Sequence, residues 1–301
     1  MCRDYPAFCG GNRVELSSGL DNIGRAMGLH LYARLFVVAG LLCAVPNAYA
    51  VTFKTADPDV AGGDIAVNGR LSKPKGKGPF PAVVLLHTCG GLRPHVAVDW
   101  PRFLSELGYV ALAVDSFGSR GLGPCPNGLS PPAPGAKIFA SRAMMSDADG
   151  ALDWLERQSF VEQGRTAVMG FSLGGLAIHF SLLRAYTRKI PDRAFAAAIS
   201  LYGPCAVAGG RVTMPRLDRA PLPILDIIGD RDERILRDCR ELLPKGSLRV
   251  LPGAYHAFDS RGITTIRYSS GGSPMLFDAG ATTAARALVR EFLKRHLGSA
   301  R

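Results

Sequence analysis

The stretch Val168-Met169-Gly170-Phe171-Ser172-Leu173-Gly174-Gly175 decides the fold. It follows a short apolar run, 166–170, that reads as a strand, and it opens a helical pattern over 173–185. G-x-S-x-G therefore stands at a strand-to-helix turn, the context that gives the motif its meaning. Such a turn is so sharp that the serine backbone is strained, and side chains at 170 or 174 would crowd it. It exposes Ser172 Oγ at the edge of the sheet, while the N–H groups that open the helix aim at the same point.

A serine becomes a nucleophile when a base takes its proton, and that base needs a carboxylate to hold its tautomer. The order expected after such an elbow is serine, acid, histidine. Three histidines follow Ser172: His179, His256 and His296. His179 lies two turns into the same helix and reads as packed there. His296 sits at a C-terminal helix end, where a cation suits the dipole. His256 lies in Leu251-Pro252-Gly253-Ala254-Tyr255-His256-Ala257-Phe258, a turn-rich loop after an expected strand, and is the candidate base. For the acid, Ile224-Leu225-Asp226-Ile227-Ile228-Gly229-Asp230-Arg231-Asp232 offers three carboxylates: one inside a strand, one at its mouth and one in the loop beyond.

Outward from these residues, short apolar runs alternate with helical periods, which argues for one α/β domain with a mostly parallel sheet. Strands are expected at 81–86, 109–114, 166–170, 196–201, 223–228 and 248–251, with 64–71 as an antiparallel lead-in. Helices are expected at 98–107, 136–158, 173–185, 234–243 and 282–297. In the second helix, Met145, Ala148, Leu152 and Leu155 form one apolar stripe. Two long Gly-rich segments, 116–137 and 259–280, each follow a strand, where open α/β sheets carry their sites.

The whole chain has 301 residues, 47% hydrophobic and 20% charged, which excludes intrinsic disorder as its main state. No apolar run approaches the roughly 20 residues of a membrane span. The formal charge of +11 raises nucleic acid as a partner. Its densest groups, Lys73-Pro74-Lys75-Gly76-Lys77 and Lys294-Arg295-His296, read as a turn and a helix end, and no nucleic-acid motif accompanies them.

Residues 27–50 combine Arg34, the apolar run from Leu35 to Val45, and Ala48-Tyr49-Ala50, the three regions of a secretory signal peptide. Residues 1–26 then read as an upstream extension or a mis-assigned start, and 51–301 as the folded domain. Soluble export, to the periplasm or beyond, is expected, with no membrane anchor after cleavage. Cleavage after Ala50 leaves four cysteines, Cys89, Cys125, Cys205 and Cys239, enough for two disulfides in an oxidising compartment. No CxxC spacing occurs, which argues against a zinc site.

The ordered set of motifs resembles the dienelactone hydrolase family of α/β-hydrolases. It comprises His87-Thr88-Cys89-Gly90-Gly91, Asp115-Ser116-Phe117-Gly118, the Ser172 elbow, Gly229-Asp230-Arg231-Asp232 and Pro252-Gly253-Ala254-Tyr255-His256-Ala257-Phe258. The resemblance spans about 170 residues in the family's order and implies an α/β-hydrolase fold. Its G-x-x-D falls on Gly229 and Asp232, which makes Asp232 the acid and Asp230 the runner-up. It further implies an oxyanion hole from the backbone N–H groups of Cys89 and Leu173. Arg120 and Arg261 are approximate counterparts of its carboxylate-binding arginines, each displaced by about one position.

Family members that open dienelactones use a cysteine nucleophile and a glutamate in the first loop, where this chain has Ser172 and Thr88. The expected activity is thus a serine hydrolase acting on a small-molecule ester or lactone, without metal or organic cofactor. Thioester or peptide cleavage by the same triad, or a non-catalytic binding role for the fold, are the alternatives. Adjacency of the expected strands suggests the disulfides Cys89–Cys125 and Cys205–Cys239.

Overall fold

In the computed structural model, residues 48–125, 134–187, 194–207, 212–213 and 220–298 are described. Eight strands form one sheet: β1 (Ala48–Lys54), β2 (Ala66–Ser72), β3 (Phe80–Leu86), β4 (Val110–Asp115), β5 (Val161–Phe171), β6 (Ala197–Leu201), β7 (Ile224–Gly229) and β8 (Leu248–Leu251). Their spatial order is β1-β2-β4-β3-β5-β6-β7-β8. β1 and β2 pair antiparallel, as do β2 and β4, and every later pairing is parallel.

Parallel strands are covered on both faces, so β3 is apolar throughout and the other parallel strands are mostly so. In β3, Val83 and Leu85 point to one face, and Ala82, Val84 and Leu86 to the other. The first face packs under α1 (Trp100–Glu106) and α5 (Ala279–Leu297), through Trp100, Leu104, Val289 and Leu293. The second packs under α2 (Pro134–Glu156), α3 (Leu173–Thr187) and α4 (Glu233–Leu242), through Met144, Leu152, Leu176 and Ile235. The stripe Met145, Ala148, Leu152 and Leu155 is buried in that layer, as its period requires.

Most expected elements occur within a few residues of their expected bounds. Three differ for physical reasons. β5 starts at Val161, because the chain pairs with Phe80 before the apolar run begins. The first helix is preceded by a π-helical turn, His95–Asp99, that no apolar period announces. β1, assigned in sequence to the signal region and its junction, is the edge strand, and the expected cleavage point after Ala50 falls within it. The rest of 27–50, and all of 1–26, lie outside the described residues.

The C-terminal end of α5 is fixed at one rim of the sheet. Tyr109, just before β4, donates to Gly298 O at 3.0 Å, and Arg165 Nε, early in β5, donates to Leu297 O at 2.6 Å. The opposite rim, where β3, β5, β7 and β8 end, carries the loops of the site.

Candidate active site

β5 ends at Phe171, and the chain turns into α3 through Ser172, whose φ of 52° lies in the left-handed region. The glycines make this turn possible. A Cβ at Gly170 would lie 2.3 Å from the backbone of Gly174, and one at Gly174 would lie 2.4 Å from Leu86 O at the end of β3. Gly174 N also donates to His87 O at 3.1 Å, which ties the elbow to the segment after β3. His87 itself is buried. Burial holds its pKa below the usual range, and a neutral ring donates from Nδ1 to Thr88 O at 2.7 Å.

His256 reaches the elbow from the loop after β8. Its backbone N–H donates to Pro274 O at 3.0 Å, so the hairpin formed by Arg267–Tyr268 and Pro274–Met275 braces it. Its Nδ1 lies 2.6 Å from Asp232 Oδ2 and its Nε2 lies 2.9 Å from Ser172 Oγ. A carboxylate only accepts, so Nδ1 carries the proton and the Nε2 lone pair faces the serine hydroxyl. Asp232 is fully buried at the turn between β7 and α4.

The three aspartates left open by the sequence thus have separate partners. Asp232 holds His256. Asp230 Oδ1 accepts from Gly253 N at 2.8 Å and fixes the turn before His256. Asp226, inside β7, faces α3 and lies 2.6 Å from His179 Nε2, both side chains fully buried. His179 Nδ1 lies 3.0 Å from Pro204 O. Burial pulls the His179 pKa down, but the Asp226 charge, its hydrogen bond and the Pro204 carbonyl outweigh that and leave it raised. His296 stands in the last turn of α5 against the Phe292 ring.

The segment 87–91 sits beside the elbow. Thr88 Oγ1 accepts from Gly90 N at 3.0 Å, and Thr88 O accepts from Gly91 N at 3.0 Å. Among the described residues, the N–H groups of Cys89 and Leu173 have no acceptor. Cys89 is joined to Cys125 by a disulfide with Cα atoms 5.0 Å apart, and Cys125 N donates to Cys89 O at 2.5 Å. A second disulfide joins Cys205 to Cys239 with Cα atoms 5.2 Å apart. Both pairings are those suggested by strand adjacency.

Of the two arginines, Arg261 is exposed in the loop after His256. Arg120 is engaged elsewhere, against the expectation of a substrate clamp. Its guanidinium grips buried Asp147 with two bonds of 2.7 and 2.9 Å and also donates to Ser116 O at 2.8 Å and Ala61 O at 3.3 Å. With these donors committed, it anchors the segment after β4 to α2. The sequence reading missed Tyr202, whose ring lies against His256, and Asp259 and Trp100, which are hydrogen-bonded in line behind it. The signals were Tyr202's place at the end of a parallel strand and Asp259's place three residues after the base. Among the described residues, no group of three or more His, Cys, Asp or Glu side chains could hold a metal, and no helix is long and apolar enough to cross a membrane.

Comparison with known proteins adds to this geometry. The sequence model described as "Dienelactone hydrolase family" matches residues 67–297. A Bradyrhizobium protein named "Probable 2-oxo-3-(5-oxofuran-2-ylidene)propanoate lactonase" is 26% identical over 216 residues, 65% of this chain and 82% of its own. Two solved structures share the fold. The dienelactone hydrolase of Anabaena variabilis has a TM-score of 0.56 at 18% identity, over 84% of this chain and 99% of its own. A dienelactone hydrolase-like promiscuous phosphotriesterase from metagenomic libraries has a TM-score of 0.57 at 22% identity, over 83% of this chain and 98% of its own.

Proposed function

Because the chain belongs to the dienelactone hydrolase family, we propose that it is an exported serine hydrolase of small carboxylic esters or lactones, working through an acyl-enzyme. One observation carries this reading: His256 bridges Ser172 Oγ at 2.9 Å and buried Asp232 at 2.6 Å. Ser172 Oγ attacks the substrate carbonyl while His256 Nε2 takes its proton. Asp232 keeps Nδ1 protonated and stabilises the imidazolium. The tetrahedral oxyanion is held by the N–H groups of Cys89 and Leu173, donors of the kind whose loss costs roughly 100- to 1000-fold in turnover. As the intermediate collapses, His256 protonates the leaving alkoxide. It then activates water to release the acid. In a lactone the leaving oxygen belongs to the same molecule, and one ring-opened hydroxy acid is released.

The name of the Bradyrhizobium relative supports a lactone or ester over a peptide. Exposed Arg261 is the remaining candidate for binding a substrate carboxylate. Export follows from the signal pattern at 27–50 and is supported by two disulfides, which persist in oxidising compartments.

The test is Ser172→Ala in the oxidised protein, assayed on p-nitrophenyl esters of graded acyl length and on simple lactones. The expected loss in kcat is about 10³-fold or more, with fluorophosphonate labelling abolished at the same time. Full activity in the variant refutes the proposal.

A further inference from the structure

Tyr202, at the end of β6, has a φ of 43°, a left-handed conformation rare for an aromatic residue. Its N–H donates to Ile227 O at 2.7 Å, and its ring lies against His256, with centroids 4.8 Å apart and planes inclined by 59°. The hydroxyl donates to Asp259 Oδ1 at 2.7 Å, while Trp100 Nε1 donates to Asp259 Oδ2 at 2.7 Å. All three side chains are buried. Asp259 lies in the same loop as His256, so a neutral acceptor would anchor that loop equally well. What an anchor does not require is an acid as acceptor, or an aromatic ring set between that acid and the imidazole.

We infer that Tyr202 and Asp259 form a second carboxylate arm on His256, one that acts through the aromatic ring. The carboxylate draws the phenol proton toward itself and enriches the ring. The enriched ring stabilises the imidazolium that forms when Ser172 gives up its proton. The inference rests on the serine hydrolase reading and makes both residues positioning residues, since neither touches the reacting atoms.

The surroundings suit this role. The imidazole itself meets Asp232 at Nδ1 and Ser172 at Nε2. His95 from the π-helical turn and Arg286 from α5 interact with the Asp259 charge, and Arg286 in turn interacts with Asp99, Arg102 and Arg261. Burial holds the His95 pKa low, so this ring adds no charge at neutral pH. Burial and the Asp259 charge push the Tyr202 phenol well above its usual range, so it stays a donor.

Asp259→Asn keeps the shape and inverts the bond. To serve Trp100 with its oxygen, the amide must turn its N–H toward the phenol oxygen. The expected result is a kcat lower by about fivefold to thirtyfold, the range of a desolvated cation–π contact, with KM little changed. The acid limb of kcat/KM moves to lower pH by about one pH unit. Tyr202→Phe alone moves the limb the same way, and Asp259→Asn added to Tyr202→Phe moves it little further.

An unmoved limb in Asp259→Asn overturns the inference. So does an equal move in both backgrounds, or an upward move in Tyr202→Phe, the mark of an unscreened charge acting through space. NMR titration of the His256 ring makes the same comparisons without a substrate. Ser172→Ala measured in parallel separates the two readings. Activity that survives it refutes the hydrolase, whereas Ser172-dependent activity with an unmoved limb refutes the Tyr202–Asp259 arm alone.

Discussion

Arg120 and Asp147 illustrate how far a residue's role depends on which way it points. The family resemblance offers Arg120 only as an approximate counterpart of a substrate clamp, and the Asp147 carboxylate it grips is fully buried, while its own side chain is 11% exposed. Arg120→Ala leaves that carboxylate without its partner, and an orphaned buried charge costs about 3–5 kcal/mol. The expected outcome is a large fall in the urea midpoint with KM for neutral esters unchanged. A fall in affinity confined to anionic substrates would return Arg120 to the site. The aspartates after Ile224 teach the same lesson. Composition places three carboxylates within seven residues, but only the alternation of β7 sends Asp226 toward α3, and only the turn into α4 swings Asp232 under His256. Ser172 and His256 were legible because their chemistry is tied to chain order. The contact between Tyr202 and Asp259 was not, because no motif order links these residues, 57 apart in sequence.

At the scale of elements, strands were legible wherever burial on both faces made them predominantly apolar, as in β3, β4, β6 and β7. β1 was not, since five of its seven residues are exposed and its first three are also the tail of the signal pattern. The proposed processing after Ala50 would remove three exposed residues from an edge and leave Val51 to Lys54 paired with β2. Under the export proposal, intact-mass analysis of the protein recovered from the periplasm or medium is expected to give an N-terminus at Val51 with the sheet retained. A mature end inside 52–60 would contradict this. The disulfides bind elements in a similar way. Cys89–Cys125 closes a loop of sequence separation 36, worth about 4 kcal/mol in a chain-entropy account. Because it also fixes the segment carrying the Cys89 N–H, Cys125→Ser is expected to lower kcat about tenfold or more in addition to lowering stability. Loss of stability with kcat intact would show that the segment holds its shape unaided.

For the molecule as a whole, the buried His179–Asp226 pair joins α3, the helix that follows Ser172, to β7, the strand that leads to Asp232. With acceptors at both ring nitrogens, the fold favours the protonated His179 ring, and its pKa is raised above the unfolded value near 6.5. A raised folded pKa contributes stability that is fully present below about pH 6.5 and is lost as pH rises through the folded value. Urea midpoints of the native chain relative to His179→Gln are expected to show an advantage at pH 5.5 that shrinks toward pH 8.5. An advantage that grows with pH would mean the ring is buried neutral.

The anchoring of Leu297 and Gly298 by Arg165 and Tyr109 has a practical consequence. The end of α5 is held at the rim where the parallel strands begin, while Ser172 and His256 sit where they finish. A support or fusion partner tethered beyond that helix would attach on the far side, leaving the mouth of the enzyme facing open solution. Immobilisation through the C-terminal end is thus compatible with free substrate access.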